Sequence, residues 1–234
     1  MQLAILAGGL ATRLGSLTKG KPKSLIQIQG KPFLEYQLDF LKEGGIKNIV
    51  LCIGYLGEQV ERHFGSGSRF GVDIMYSYES EQLLGTAGAL KNAERLLEEE
   101  FFVMYGDSYL FLDFAAAMAY FKEFDKLGLM TVYKNYNRYD ASNVVVENNK
   151  VKQYSKKEKS NDMIYVDYGA SILRKKVLEL IPQNQVYSLE ELFSELIKQK
   201  ELLAYEVHKR FYHIGSPEGL EEFQQYASQG GVAS

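Results

Sequence analysis

The chain is predicted to fold as a single α/β domain built on one mixed, mainly parallel sheet with helices on both faces. Three observations predict it. Short apolar runs alternate with stretches of helical period through the first half, glycines follow directly on several of those runs, and no long Pro/Gly/Ser linker interrupts the chain. With 234 residues and 46% hydrophobic content, the chain can bury one substantial core. One domain is therefore expected over residues 1–228, in two halves meeting near residue 110 and built on the same sheet. The last segment, 229–234, lacks periodicity and is expected to be a flexible tail.

The elements follow in order. Leu3 to Leu6 reads as a buried strand that meets Gly8-Gly9. A helix from about Pro32 places Phe33, Leu34, Leu38 and Leu41 on one face and stops at Gly44-Gly45. Ile49–Tyr55 is the next buried strand, Glu58–Phe64 a short helix, Val72–Tyr78 an alternating strand and Ala87–Leu97 a helix. Phe101–Tyr105 is a strand ending at Gly106-Asp107. A helix is expected near Phe114–Lys126 and a strand near Leu129–Tyr133. Asn143–Glu147 and Lys150–Tyr154 read as a hairpin turning at Asn148-Asn149. Tyr165–Leu173 is a further strand, with helices near Val177, over Leu189–Lys200 and over Pro217–Ala227.

The segment from Leu6 to Leu14, with Lys21-Pro22-Lys23 beyond it, carries the most chemistry. Gly8 and Gly9 remove side chains where a backbone would approach a ligand closely, so their N–H groups can face anionic oxygens. Gly-Gly after a strand alone fits a tight turn equally well; Arg13, a planar fork, and Lys23, a point charge, favour a phosphate cradle. The pattern is neither a P-loop nor the G-x-G-x-x-G fingerprint, so a dinucleotide-dependent oxidoreductase is not indicated. Asp107 follows an apolar strand, as Gly8-Gly9 does, and ligands of open α/β sheets gather beyond strand C-termini. As a hard carboxylate it suits a divalent cation, although Gly-Asp-Ser also makes turns and caps.

Several classes are disfavoured. A formal charge of −3 with scattered basic residues argues against a nucleic-acid surface. Cys52, the single cysteine, lies in an apolar run and permits no internal disulfide, which fits a reducing cytoplasm. The apolar N-terminal stretch is too short for a signal peptide or a membrane span. No Ser/His/Asp constellation and no Cys/His metal cluster stands out.

These residues resemble the sugar-1-phosphate nucleotidyltransferases, whose signature is L-A-G-G-x-G-T-R-L followed by K-P-K/M. The match covers Leu6-Ala7-Gly8-Gly9, Thr12-Arg13-Leu14 and Lys21-Pro22-Lys23, with Ala11 in place of glycine, and continues at Gly106-Asp107 and Ile214-Gly215-Ser216-Pro217-Glu218. The chain is most similar in appearance to the heptose-1-phosphate guanylyltransferases, through Gly85-Thr86, Asn143-Val144 and Tyr187-Ser188-Leu189-Glu190-Glu191. Mannose-1-phosphate guanylyltransferases come next, then uridylyl, thymidylyl and cytidylyl relatives.

The resemblance implies a Rossmann-like fold of the nucleotide-diphospho-sugar transferase type, with a nucleotide-binding half (about 1–110) and an acceptor half (111–228). It implies attack by a sugar 1-phosphate on the α-phosphorus of a nucleoside triphosphate, with pyrophosphate leaving. Arg13, Lys23 and Asp107 would be catalytic, with Mg²⁺ on Asp107. Leu6, Ala7, Gly8, Gly9, Thr12, Glu81, Gly85, Thr86 and Gly88 would bind the nucleotide; Thr86 could equally start a helix. Asn143, Lys157, Asp167 and Gly169 would face the acceptor. Relatives of this kind are often dimers or larger, which makes a homo-oligomer an expectation, and no membrane or nucleic-acid partner is implied.

Three departures stand out. Lys156 replaces a glutamate, and Asp167 replaces an asparagine that touches the sugar. His213 replaces the second magnesium-binding aspartate; it would be a poor ligand for a hard cation, or a direct phosphate contact. The last departure also motivates a rival reading, a nucleotide-binding regulatory subunit without turnover.

Overall fold

A computed structural model of the chain describes residues 1–9, 14–15, 20–79 and 82–232. Its strands are β1 (Gln2–Leu6), β2 (Gln27–Ile28), β3 (Lys31–Pro32), β4 (Asn48–Ile53), β5 (Asp73–Tyr78), β6 (Glu100–Tyr105), β7 (Ser108–Tyr109), β8 (Gly128–Lys134), β9 (Val144–Glu147), β10 (Lys150–Tyr154), β11 (Tyr165–Arg174), β12 (Leu202–Val207) and β13 (Tyr212–His213). The helices are α1 (Phe33–Glu43), α2 (Gly57–Phe64), α3 (Gly85–Asn92), α4 (Phe114–Lys122), α5 (Leu189–Lys198) and α6 (Pro217–Ser228).

One sheet carries the order β5-β4-β1-β6-β11-β8-β12-β10-β9. The β5-β4-β1-β6 block is parallel throughout, with Leu6 of β1 opposite both Cys52 and Tyr105. β11 runs antiparallel to β6 on one side and to β8 on the other, so it splices the second half onto the first. Alternation along β1 sets the layers: Leu3 and Ile5 join Leu34, Leu38 and Leu41 of α1 on one face, while Ala4 joins Ala87 and Leu90 of α3 on the other. α2 and α4 cover the first face and α5 the second. This is the α/β class that the sequence predicts.

A third cluster ties α6 to α1. Phe223 meets the rings of Phe33 and Tyr36 edge-on, with centroids 5.2 and 5.7 Å apart. Ser216 caps α6 by accepting the Gly219 N–H at 3.2 Å, with Pro217 at the first helical position. Beyond α6, Gly231 lies on the Tyr226 ring and Val232 packs against the same cluster.

The structure differs from the sequence reading in several elements. β12, parallel to β8 and antiparallel to β10, has no counterpart in that reading. Its Leu-Leu-Ala start has helical propensity and follows α5 closely, and only the two flanking strands make it extended. The helix expected over 87–97 begins at Gly85, stops at Asn92 and continues as a 3₁₀ turn at Glu94–Leu96; the one near Val177 is a 3₁₀ helix, Lys175–Leu180. α4 ends at Lys122 rather than near Lys126. The hairpin forms as expected, with Asn148 and Asn149 at φ 50° and 60°, the left-handed pair a two-residue turn requires. Among the described residues, no helix is long and apolar enough to cross a membrane.

Candidate active site

A cleft of about 450 Å³ opens at the C-terminal ends of β1 and β6, lined by Gly8, Gly9, Lys23, Glu79, Tyr105 and Asp107 among others. Parallel neighbours deliver their following loops to the same edge, which is why two motifs a hundred residues apart meet here. Backbone approach is close: a Cβ on Gly106 would lie 2.8 Å from the Leu6 carbonyl, and one on Gly8 would collide with Glu79 Oε2. A Cβ on Gly9 would meet nothing within 4 Å, so this glycine presents bare backbone to open space. Leu6 and Ala7 line the same wall.

Lys23 reaches across to Asp107, with Nζ 2.9 Å from Oδ2. Pro22 precedes a short helical turn, Lys23–Leu25, that aims the ammonium. Asp107 is braced from below: the buried Gln37 side chain on α1 donates to the carbonyls of Ser108 (2.7 Å) and Tyr105 (3.3 Å), and Ile214 N–H donates to the Asp107 carbonyl at 2.8 Å. The β13–β7 ladder sets His213 opposite Ser108, so the imidazole and the Asp107 carboxylate flank Gly215. His213 Nδ1 accepts the Gly215 N–H at 3.2 Å, and Gly219 sits against the same ring edge; Nδ1 is thus engaged in holding this turn.

The second half adds a tight polar cluster. The Asp167 carboxylate accepts from the Tyr154 hydroxyl (3.1 Å), the Gly169 N–H (3.0 Å) and, at 3.4 Å, the Tyr105 hydroxyl. Burial holds its carboxyl above the ordinary aspartate range despite the Lys156 ammonium and these donors. Asn143 Oδ1 accepts the Asp167 N–H at 2.9 Å. Gly169, at φ +102°, sits in the irregular stretch of β11 where a Cβ would come within 3.2 Å of Ser108 Oγ; the glycine lets β11 pass beside the Asp107 turn. Asn143, Asp167 and Gly169 are therefore brought together, with Gly169 beside Ser108, but none of the three lines the cleft. Lys157 does not join them: it lies in a separate depression with Tyr187, Ser188 and Glu191. Lys156 is the lysine that lines the cleft, 5.0 Å above the Tyr105 ring.

On the other flank, Gly85 and Thr86 line the cleft, and Gly88 does not. A Cβ on Gly85 would lie 2.8 Å from the Tyr187 carbonyl and one on Gly88 2.9 Å from that of Gln185, so both glycines admit the 185–187 strap. Thr86 Oγ1 accepts the Leu189 N–H at 2.7 Å. Thr12, Arg13 and Glu81 lie outside the described residues.

Sequence reasoning passed over Glu79, Tyr105 and Ser24 and noted Lys156 only as a departure without a site role; all four are in the cleft wall. Glu79 follows directly on β5 as Asp107 nearly follows β6, and that strand-end position was the signal to use. Cys52 also lines the cleft, but burial, with Glu79 adding to it, pushes its thiol up to about 12, so it is a packing residue rather than a nucleophile.

The family model described as "Nucleotidyl transferase" matches residues 3–230. The D-glycero-alpha-D-manno-heptose 1-phosphate guanylyltransferase of Campylobacter jejuni is 31% identical over 233 residues, covering 95% of this chain and 98% of that protein. The mannose-1-phosphate guanylyltransferase catalytic subunit beta of Drosophila melanogaster is also 31% identical, over 91% of this chain, which spans 59% of that longer protein. Among solved structures, HddC from Yersinia pseudotuberculosis superposes with a TM-score of 0.80 at 26% identity, covering 97% of this chain and 99% of that one, and has also been solved with GMP-PN. With a family match over residues 3–230 and a relative 31% identical along nearly the whole length of both chains, this chain belongs to the nucleotidyl transferase family, among its sugar-1-phosphate nucleotidyltransferases.

Proposed function

We propose that this enzyme transfers a guanylyl group from GTP to a heptose 1-phosphate, releasing pyrophosphate and forming a GDP-heptose. The observation that carries the reading is the cleft in which the Gly8-Gly9 backbone, Lys23 and Asp107 share one lining with Lys156 and Tyr105, behind which Tyr105 bonds Asp167. A triphosphate and a phosphorylated sugar thereby have adjacent places. Similarity along nearly the full length of a heptose-1-phosphate guanylyltransferase supports the choice of both substrates.

The chemistry follows from charge. An oxygen of the sugar phosphate attacks the α-phosphorus, the bond to the β-phosphate oxygen breaks, and pyrophosphate leaves with its electron pair. The nucleophile is already an anion, so no general base is needed; the protein must align two anions and neutralise them. Lys23 stands where charge develops on the α-phosphate, bare backbone at Gly9 accepts close approach of phosphate oxygens, and Lys156 offers a cation on the acceptor side. Asp107 suits Mg²⁺: its carboxylate is a hard oxygen donor about one-third exposed in the cleft wall. His213 offers less, because its Nδ1 holds the Gly215 turn. Asp107 and the substrate phosphates would then hold the ion, which when bound supplies neutralising charge to the triphosphate.

The test is pyrophosphate release with Mg²⁺ across GTP, ATP, UTP, CTP and dTTP, each with heptose, mannose, glucose and N-acetylated sugar 1-phosphates. Release that depends on GTP together with heptose 1-phosphate is expected. Release from another pair would replace the substrates named here, and nucleotide binding without release from any pair would favour a regulatory role.

A further inference from the structure

We infer that Gln37 is a positioning residue of this site: its buried amide fixes the Tyr105–Ser108 turn, and through that turn the place of the Asp107 carboxylate relative to Lys23. The inference rests on the nucleotide-transfer reading and gives a part in it to a residue that does not line the cleft.

The amide stands where α1 calls for an apolar side chain. Leu34, Leu38 and Leu41 form the stripe of α1 that faces the sheet, and Gln37 lies inside the same stripe, 1% exposed. Glutamine is mostly a surface residue, and burial of its amide is tolerable only where partners replace water. Nε2 has them: it donates to the Ser108 carbonyl at 2.7 Å and to the Tyr105 carbonyl at 3.3 Å. Oε1 has none among the described residues. A methionine of the same length would fill the stripe without an orphaned acceptor, so the packing of α1 does not account for glutamine here. Holding the two carbonyls does.

What the amide holds is the chain on either side of Gly106-Asp107. Tyr105 is the last residue of β6 and Ser108 the first of β7, and one side chain joins their carbonyls across the turn. Gly106 N–H donates to the Leu6 carbonyl at 3.0 Å and Ile214 N–H to the Asp107 carbonyl at 2.8 Å, so the backbone is tied on its other sides as well. The same helix grips the Lys23 segment. Phe33 N–H donates to the Ile26 carbonyl at 2.9 Å, the Tyr36 hydroxyl to the Ile28 carbonyl at 2.8 Å, and Ile26 N–H to the Lys23 carbonyl at 3.0 Å. α1 is therefore one rigid link between the turn that carries Lys23 and the turn that carries Asp107, and the Gln37 amide is its bond to the second. The 2.9 Å contact of Lys23 Nζ with Asp107 Oδ2 is the separation this link sets. A misplacement of about 1 Å at a reacting centre can cost roughly a hundredfold in rate, so a brace of this kind has a kinetic consequence.

The experiment compares the full chain with Gln37→Met, which keeps the length and removes the amide, and with Gln37→Glu, which keeps the shape and puts an oxygen where the N–H donors stood. Gln37→Glu decides the matter where Gln37→Met does not fold. The readouts are Mn²⁺ affinity by electron paramagnetic resonance, alone and with each of GTP, ATP, UTP, CTP and dTTP, the melting temperature, and kcat and KM with the substrate pair that supports transfer. Both variants should weaken Mn²⁺ by about tenfold, lower kcat by about tenfold to a hundredfold and leave both KM values within about threefold. In an Asp107→Ala background the same substitutions should change Mn²⁺ affinity no further, because Gln37 acts through that carboxylate. A lower melting temperature with unchanged Mn²⁺ affinity and kcat would make Gln37 a packing residue and overturn the inference. So would an equal loss in the Asp107→Ala background, or a parent chain that binds Mn²⁺ no better than Asp107→Ala does. A parent that shows the expected Mn²⁺ differences yet transfers no nucleotide to any acceptor would uphold the role of Gln37 and overturn the proposed function.

Discussion

The Thr86 hydroxyl has two potential partners, a nucleotide and the protein itself, and substitution by valine separates them. Oγ1 accepts the Leu189 N–H at 2.7 Å, at the first residue of α5, where helical geometry leaves that N–H without an intrahelical acceptor. The surrounding stitch is dense: Ala87 and Gly88 N–H both donate to the Tyr187 carbonyl at 2.9 Å, and Tyr187 N–H donates to Leu84 O at 2.8 Å. Valine matches threonine in shape and removes the hydroxyl, both its acceptor oxygen and its O–H donor. Leu189 is 2% exposed, so its N–H has little recourse to water, and leaving it unpaired should cost about 1–3 kcal/mol. At the roughly 3 °C per kcal/mol expected for a chain of this size, Thr86→Val should melt about 6 °C lower, with Thr86→Ser restoring most of the loss. GTP affinity, measured calorimetrically on the folded protein, should stay within about twofold, the result expected when accepting the Leu189 N–H is the hydroxyl's whole role and its O–H makes no bond to the nucleotide. A variant that melts like the parent but binds GTP tenfold more weakly would refute the assignment and place the hydroxyl on the ligand.

Three further predictions concern the cleft. Lys23→Ala should lower kcat by about a hundredfold or more while changing KM little, because its charge matters most as charge develops on the α-phosphate; a loss confined to KM would contradict that role. Lys156→Met should raise the KM for the sugar phosphate by roughly tenfold, in line with one charge-assisted contact, whereas Lys157→Met, in the separate depression, should not; steady-state titration of the acceptor distinguishes them, and the reverse result would restore Lys157 to the site. The folded protein binds the Asp167 proton more tightly than the unfolded chain does, so this group withdraws stability as pH rises from the ordinary aspartate range through its raised value. Asp167→Asn should therefore gain in melting temperature relative to the parent across that window, and a constant offset from acid to neutral pH would show that the carboxylate is not destabilised.

Much of the first half was legible because its determinants are local. An apolar run ending in Gly-Gly marks a buried strand meeting a bare loop, helical spacing of Leu34, Leu38 and Leu41 marks the face of α1, and Asn148-Asn149 specifies a two-residue turn. Position past strand C-termini put Gly8-Gly9 and Asp107 at one crevice, whereas the contact of Lys23 with Asp107 is given only by the structure. β12 was not legible, since the leucine pair at its start suits a helix as well and only the ladders to β8 and β10 extend it. The same holds for the site's finer composition. Whether Lys156 or Lys157 enters the cleft depends on the direction the chain takes after β10, and that is settled by contacts with Glu190 and Tyr105 from distant segments. Glu79 acquires meaning only when β5 and β1 lie two strands apart and Gly8 leaves it room. The sequence by itself determined the fold class, the Gly-Gly turn after the first strand and the family, because glycine placement and hydrophobic period act within a few residues. The tertiary structure alone decided which charges share one cleft, because that depends on strand order and burial, to which residues far apart in the chain contribute together.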